Sequence, residues 1–309
     1  MLLKFELHLN VEQPITAIEL LTKHCDLSIS QIKQAVFKGT LWLTKHEHLR
    51  DNNTTKNDND NQHTKYTQRL RRIKKTLQQG DCLHFYYDET VLTQQPKPAQ
   101  LIADLQAYSI WFKPYGVFCQ GSKWSEHCTI NRWVETHIQP QRPAFIVHRL
   151  DRAASGLIII AHSKKAAKAF SLLFEQHQLT KTYQIICHGD HSTHSQPEKI
   201  TIPIDDKSAN SEFNLLEYNS EHNLSLIQVN IGSGRKHQIR KHAAAINLPV
   251  VGDRLHGDNN QRYPDNLNLQ LCAVSLSFNC PFTKRLQKFE LPTKLKPSLI
   301  NAINLLDND

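Results

Sequence analysis

The residues best suited to chemistry lie near the middle of the chain, between two apolar, β-branched runs that predict buried strands. Four charged or titratable side chains fall within five positions there: His148, Arg149, Asp151 and Arg152. A turn would need only the Ser-Gly pair that follows, so the charges require a separate reason. Positive neighbours favour an ionised carboxylate, which suits a nucleophile or base better than a proton donor. A structural Asp–Arg pair that fixes the loop fits the spacing equally well.

A second charged stretch follows a strand predicted over residues 224–231. Gly232-Ser233-Gly234 breaks this strand, and a helix is predicted over residues 235–246. Backbone N–H groups at such a junction can receive a phosphate or a carboxylate. Positive charge at a helix start is unfavourable to the helix dipole, so it indicates either a function or a carboxylate partner from elsewhere. The positive or titratable residues are Arg235, Lys236, His237, Arg240, Lys241 and His242.

These stretches resemble the signatures of the RluA-type pseudouridine synthases. Five blocks in the family's order carry the resemblance, which covers residues 108–292. They are a KPxG-like turn at 113–116, His-Arg-Leu-Asp at 148–151, Lys-Thr-Tyr at 181–183, a GRxHQIRxH-like run at 234–242 and a PIxGD-like run at 249–253.

The resemblance implies a reaction and roles for four residues. Asp151 corresponds to the family's catalytic carboxylate, Arg240 to the arginine that pairs with it, and Tyr183 to the tyrosine that packs against the target base. Arg149 would contact the RNA and fill the gap left by a flipped base. The implied reaction converts specific uridines to pseudouridine in structured ribosomal or transfer RNA. From its strand alone, Tyr183 would be an ordinary core or rim residue.

The chain departs from the family pattern at two positions. Ser233 stands where a Thr is common and keeps the hydroxyl, while His256 replaces the usual Tyr. We expect His256 to alter local packing without touching the catalytic positions. Two other functions stay open: a catalytically idle RNA-binding protein or chaperone, and a hydrolytic enzyme that uses Asp151 with a second carboxylate. The second carboxylate within the motifs, Asp253, is predicted to be a turn residue.

The charge balance indicates a polyanionic partner. The formal net charge is +8 with eighteen histidines counted as neutral, and Lys and Arg displace counterions from phosphate backbones. Binding to a membrane surface, or solubility alone, would also explain this charge. Besides Arg149, the candidates for RNA contact are His148, Arg152, Lys113, Lys181, Arg235, Lys236, His237, Arg71, Arg72 and Lys74.

Other features limit the compartment and the cofactors. The chain has no P-loop, dinucleotide fingerprint or metal-ligand cluster, so no cofactor and no metal are expected. Seven cysteines without a CxxC pair are typical of reduced thiols in a cytosolic protein. Without a secretion signal or an apolar span, we predict a cytoplasmic protein that does not enter membranes. A monomer is expected, because no long heptad pattern or apolar surface helix is present.

The predicted fold is α+β, with a mixed, mainly antiparallel sheet and flanking helices plus a small N-terminal α/β module. Residues 1–92 resemble an S4-type RNA-binding module in their two short helices, a Gly and a strand; a small capping domain is the alternative. A polar, disordered insertion is predicted near residues 51–65. Residues 93–107 are predicted as a linker, and 108–309 as the catalytic domain.

Overall fold

The computed structural model describes residues 2–46, 67–257, 263–264 and 266–307. The insertion predicted near residues 51–65 lies outside these ranges. The chain forms two compact units, Met1–Pro96 with Gln120–Arg132, and Lys97–Cys119 with Trp133–Asp309. Residues 120–132, predicted as part of the catalytic domain, therefore belong to the first unit.

The first unit contains short helices and two small sheets. Its strands are β1 (Lys4–Asn10), β2 (Ile15–Thr16), β3 (Leu41–Thr44), β4 (Thr67–Arg69), β5 (Thr76–Leu77) and β6 (Cys82–Asp88). Its helices are α1 (Ala17–His24), α2 (Ile29–Phe37) and α3 (Glu89–Leu92). Helix α4 (Ile130–His137) begins here and ends in the second unit. The larger sheet has the order β1-β6-β3-β4 and is antiparallel, and β2 pairs with β5.

Local sequence explains both early helices. Ser28 caps α2 through a capping box with Gln31, and Thr16 caps α1 in the same way with Glu19. Gly39 ends this segment with φ +89°, a conformation that favours glycine. Ser28 therefore begins the second helix, and Gly39 follows its end.

The second unit is built on one large sheet of ten strands among the described residues. Its strands are β7 (Gln100–Asp104), β8 (Tyr108–Lys113), β9 (Phe145–Ile146), β10 (Ser155–Ala161), β11 (Leu179–His188), β12 (Glu198–Ile200), β13 (Ser211–Asn219), β14 (Leu224–Ile231), β15 (Leu271–Asn279) and β16 (Leu286–Glu290). Its helices are α5 (Lys164–Glu175), α6 (Gln238–Ala245) and α7 (Leu299–Leu306), with short 3-10 turns at His191–Thr193 and Thr293–Leu295.

The sheet order is β12-β13-β14-β11-β15-β10-β8-β7, with β16 beside β15 and β9 beside β10. Strands β10 and β15 are parallel, and the other pairs in the described part of this sheet are antiparallel. The prediction of an α+β fold with a mainly antiparallel sheet is confirmed. Strand β7 lies inside the predicted linker; its pairing with β8, rather than a pattern of its own, makes it a strand.

Helix α5 covers the sheet beside the charged loop. Ser163 caps it, as its position before the apolar face indicates. The ring of Phe170 packs against Tyr108 and Phe278, with centroids 4.8 and 5.4 Å away. This aromatic core fixes the helix above strands β8 and β15. None of the described helices is long and apolar enough to cross a membrane.

Candidate active site

Asp151 lies on the loop between β9 and β10, and the backbone of this loop is firmly held. The Leu150 backbone N–H donates to Cys119 Sγ, and the Cys119 thiol donates to the Leu150 carbonyl, both at 3.3 Å. The Gly116 N–H donates to the Arg152 carbonyl at 2.8 Å. The loop therefore presents Asp151 from a fixed backbone on either side.

Lys113 anchors the same loop from beneath. Its side chain is fully buried, and its ammonium donates to the carbonyls of Ala154 (2.7 Å), Val117 (2.9 Å) and Pro114 (3.2 Å). Burial lowers its pKa to about 8, although nearby acidic groups, Asp151 among them, oppose the shift. The prediction that Lys113 contacts RNA is wrong, because its three donors are engaged inside the fold.

His148 is also a structural part of the loop. Its Nε2 accepts the backbone N–H of Ile159 at 3.0 Å, and its ring lies 4.7 Å from that of Phe174 on α5. Its Nδ1 is buried. Burial lowers its pKa to about 3, with a smaller effect from Lys181, so the ring is neutral near pH 7. His148 is half-buried, and its contact with RNA stays a prediction.

Gly156 allows the loop to enter the sheet. It has φ +121°, and a Cβ at this position would lie 2.3 Å from the backbone nitrogen of Ala273. Gly156 is paired with Ala273 in the parallel contact of β10 with β15. A side chain here would separate the two strands directly behind Asp151.

Arg240 connects Asp151 to a second carboxylate. Its guanidinium donates to both oxygens of Asp253, Nε to Oδ2 at 2.7 Å and Nη2 to Oδ1 at 2.5 Å. Its Nη1 lies 3.6 Å from Oδ2 of Asp151. Burial would lower the pKa of Arg240, but the bonds and charges of Asp253 and Asp151 outweigh it and raise that pKa. The guanidinium is therefore a permanent charge beside Asp151.

Sequence reasoning placed Asp253 in a turn and missed its link to Arg240. Asp253 Oδ1 does accept the backbone N–H groups of Leu255 and His256, both at 3.0 Å, so the turn prediction is confirmed. Asp253 is also 2% exposed and bidentate to Arg240. Burial alone would raise its pKa, but its hydrogen bonds, first that from Arg240, lower it. The sequence did contain one signal for this pairing. Asp253 directly follows Gly252, and the helix residue Arg240 had no carboxylate partner close to it in the sequence.

Helix α6 begins later than predicted. His237 has left-handed backbone angles, φ 55° and ψ 27°, so the helix starts at Gln238 and not at Arg235. The Gln238 side-chain oxygen accepts the Ser233 hydroxyl (2.8 Å) and the Arg235 backbone N–H (3.1 Å). The N–H group of Arg235 at the glycine junction is therefore used within the chain.

His237 and His256 form a ring pair beside Asp151. His237 Nδ1 lies 2.8 Å from His256 Nε2, and His237 Nε2 lies 3.9 Å from Asp151 Oδ2. Burial lowers the pKa of both imidazoles; the charge of Asp151 opposes this at His237, and Arg240 reinforces it at His256. His256 is thus connected to Asp151 through the side chain of His237. The sequence did not predict this connection.

Tyr183 lies on β11 between Val229 of β14 and Ala273 of β15. It is 7% exposed, and a register irregularity separates it from Thr182. Burial raises the pKa of its hydroxyl, and the negative charge of Asp151 adds to this. Tyr183 is therefore a neutral aromatic group within electrostatic reach of the carboxylate.

The remaining predicted RNA contacts differ in exposure. The side chains at the surface are those of Arg149, Arg152, Arg235 and Lys236 in the second unit, and of Arg71, Arg72 and Lys74 in the first. Lys181 is half-buried 5.5 Å from the ring of Phe174, and burial lowers its pKa. Arg71 donates to Glu126 at 3.0 Å. The segment of Arg71, Arg72 and Lys74 is a loop.

The arrangement can support attack or assistance by a carboxylate. Asp151 has 30% of its side chain exposed, while Arg240, Tyr183 and Asp253 are buried around it. An ionised carboxylate beside a fixed cation is a nucleophile or base. The packing of Tyr183 against a planar base stays a prediction.

Comparison with known proteins gives matches to one kind of enzyme. Residues 107–245 match the family model described as RNA pseudouridylate synthase. The tRNA pseudouridine synthase C of Yersinia pestis is 34% identical over 171 residues, 45% of this chain and 65% of that protein. An RNA pseudouridine synthase of Aquifex aeolicus, itself labelled uncharacterized, is 26% identical over 264 residues, 78% of this chain and 76% of that protein.

The match to the Yersinia protein spans less than two thirds of its length. Among solved structures, the human RNA pseudouridylate synthase domain containing 1 has a TM-score of 0.53 and 19% identity. The match covers 70% of this chain and 98% of the human chain. At this identity the likeness concerns the fold.

Proposed function

We propose that the chain converts specific uridines to pseudouridine in structured ribosomal or transfer RNA, which the match of residues 107–245 to the RNA pseudouridylate synthase family supports. The N1–C1′ bond of the uridine breaks, the uracil turns, and a C5–C1′ bond forms. C5 gives up its proton and N1 gains one, so the reaction is an isomerisation.

One observation carries the proposal: a partly exposed carboxylate, Asp151, beside a guanidinium that another carboxylate already fixes. Asp151 attacks C1′ or assists the loss of the base, as an ionised carboxylate at a sugar carbon can. Arg240 places a fixed positive charge 3.6 Å from this carboxylate. Since Asp253 binds Arg240 at two points, the cation cannot turn away from Asp151 without breaking both bonds.

Tyr183 packs against the uracil in this proposal. A base inside an RNA helix must leave the stack to reach Asp151, at a cost of a few kcal/mol that contacts to its face offset. Arg149 is exposed two residues before Asp151 and fills the vacated position in the helix. The exposed Arg152, Arg235 and Lys236 contact phosphates.

The first unit adds RNA affinity in this proposal, as an S4-like module. The cations at the surface of its loop after β4 include Arg72 and Lys74. Such contacts raise affinity for any RNA and lower it steeply with added salt. Cytoplasmic location and a monomeric state stay predictions.

Hydrolysis of a glycosidic bond is the less favoured chemistry. It needs a second carboxyl group that is free to act as acid or base. Asp253 accepts two bonds from Arg240 and two from backbone N–H groups, and it is buried. Its lone pairs are therefore committed to the fold.

The proposal is tested by product analysis. RNA from a strain that lacks this gene is incubated with the protein, digested to nucleosides and separated by chromatography. We expect pseudouridine without free uracil. Free uracil would indicate hydrolysis, and RNA binding with neither product would favour the idle RNA-binding protein.

A further inference from the structure

The ring pair of His237 and His256 lies where its proton arrangement can influence Asp151. His237 adopts the left-handed backbone region, which is uncommon and strained for a residue with a side chain. It occupies the N-cap of α6 without a side-chain capping bond. Its ring instead lies between His256 and Asp151. The strained backbone of His237 therefore directs its ring toward Asp151.

The hydrogen bond between two neutral imidazoles has one donor and one acceptor. Burial lowers the pKa of both rings, so both are neutral at and above pH 7. If His256 donates from Nε2, His237 Nδ1 is the acceptor and its proton sits on Nε2, facing Asp151. The opposite arrangement turns a lone pair of His237 toward a carboxylate, which is repulsive. The charge of Asp151, 3.9 Å away, favours the first arrangement, and the N–H of His256 fixes His237 in it.

We propose that His256 is a positioning residue for the active site, which donates its Nε2–H to His237 so that His237 presents an N–H group to Asp151. This role rests on the proposed function. Arg240 Nη1 and His237 Nε2 approach the same oxygen, Oδ2 of Asp151, at 3.6 and 3.9 Å. Catalytic contacts of this length commonly shorten when substrate binds. With both donors on Oδ2, Oδ1 is directed to the substrate.

His256 stands where the family's motif usually has Tyr, and this difference suggests a matched pair of variants. A Tyr hydroxyl at position 256 can donate to His237 Nδ1, whereas a Phe of nearly the same shape cannot. In His256→Phe we expect kcat for pseudouridine formation to fall about tenfold, the size of one lost hydrogen bond, with KM little changed. In His256→Tyr we expect most of kcat to return. Unfolding curves of both variants control for packing.

The tautomer of His237 is the readout that a packing role would not change. Two-bond ¹H–¹⁵N spectra of protein labelled with ¹⁵N-histidine show which ring nitrogen carries the proton, and His237→Asn assigns the signal. We expect a single Nε2–H tautomer at pH 7.5 in the wild type and in His256→Tyr, and mixed tautomers in His256→Phe. Mixed tautomers in the wild type would overturn the proposal without any variant.

The activity results separate this role from the reaction itself. Wild-type protein that forms no pseudouridine would contradict the proposed function, and this role with it. An active wild type with an equally active His256→Phe, or a His256→Tyr as slow as His256→Phe, would overturn the role of His256 alone.

Discussion

Each unit contains a cluster of arginine and carboxylate, and the two clusters are balanced in opposite ways. In the first unit, one carboxylate serves two guanidiniums: Glu126 accepts from Arg69 at 3.1 Å and from Arg71 at 3.0 Å. The Glu126 side chain is 8% exposed, and Arg69 also stacks 4.2 Å from the ring of Trp42. Burial lowers the pKa of Arg69, and the charge of Glu126 opposes this.

In the second unit, one guanidinium serves two carboxylates. Arg240 holds Asp253 at hydrogen-bond distance on both oxygens and approaches Asp151 at 3.6 Å. Asp151 is the member with exposed surface and the longest contact. The same residue types therefore give a buried carboxylate bound by two guanidiniums in one unit and a partly exposed carboxylate with unused capacity in the other. The two clusters differ in the number of partners that the carboxylate has and in its exposed fraction, and not in their residue types.

Removing one member of the buried Arg240–Asp253 pair should have the largest effect. Arg240→Met leaves Asp253 as an uncompensated buried charge, so we expect the free energy of unfolding to fall by about 3–5 kcal/mol. Chemical denaturation measures this. Pseudouridine formation should be lost with it, because Asp151 loses its cation.

The double variant Arg240→Met/Asp253→Asn sharpens this test. It removes both charges and keeps an oxygen for the backbone N–H groups of Leu255 and His256, so we expect most of the stability to return. Activity should stay absent. A double variant that regains activity would mean that Arg240 serves the fold and not Asp151.

Glu126→Gln should have a smaller effect, of a different kind. It leaves the half-buried Arg69 without its carboxylate, so we expect a loss of about 1–3 kcal/mol in the free energy of unfolding. At saturating RNA, kcat should be unchanged, because Glu126 belongs to the cluster of the first unit. A fall in kcat like that of an active-site variant would remove the contrast between the two clusters.

The acid sensitivity of His148 tests whether the loop of Asp151 is as firmly held as its contacts indicate. The folded protein keeps this ring neutral, with its pKa lowered to about 3, whereas an unfolded chain protonates it near its ordinary value of about 6.5. Below that value the unfolded state binds one more proton than the folded state. His148 therefore lowers the free energy of unfolding by up to about 1.4 kcal/mol for each unit by which the pH falls.

His148→Asn should flatten the stability curve between pH 6.5 and 4, since the amide oxygen can still accept the Ile159 N–H but does not titrate. Urea unfolding at several pH values measures the slope. His177→Asn is the control, because His177 is exposed and its positive φ suits Asn. Equal slopes in wild type and His148→Asn would mean that the ring is accessible to protons.

Much of the site could be found from the sequence because its members lie in short motifs. Asp151 stands out as a carboxylate among arginines after an apolar run, whereas Arg240 is one of several cations near a helix start and is singled out by the resemblance to the family's motif. Helix caps such as Ser28 follow from local rules. These signals need no knowledge of distant contacts.

What the sequence could not give depends on partners far along the chain. A lysine in a turn motif suggests an exposed cation, but Lys113 is buried because three carbonyls of two loops converge on it. Strand β7 exists through its pairing with β8. Asp253 pairs with Arg240 from a later loop, and His256 reaches Asp151 through His237, whose left-handed angles no local pattern predicted.

The most direct test of the account is tritium release from C5-tritiated RNA by Asp151→Asn, measured in single turnover beside wild type and Glu126→Gln. We predict a rate at least about 10³-fold below wild type for Asp151→Asn, with a free energy of unfolding within about 1 kcal/mol of wild type. Glu126→Gln should release tritium at the wild-type rate. A folded Asp151→Asn that releases tritium within tenfold of wild type would contradict the assignment of Asp151 as the reacting carboxylate.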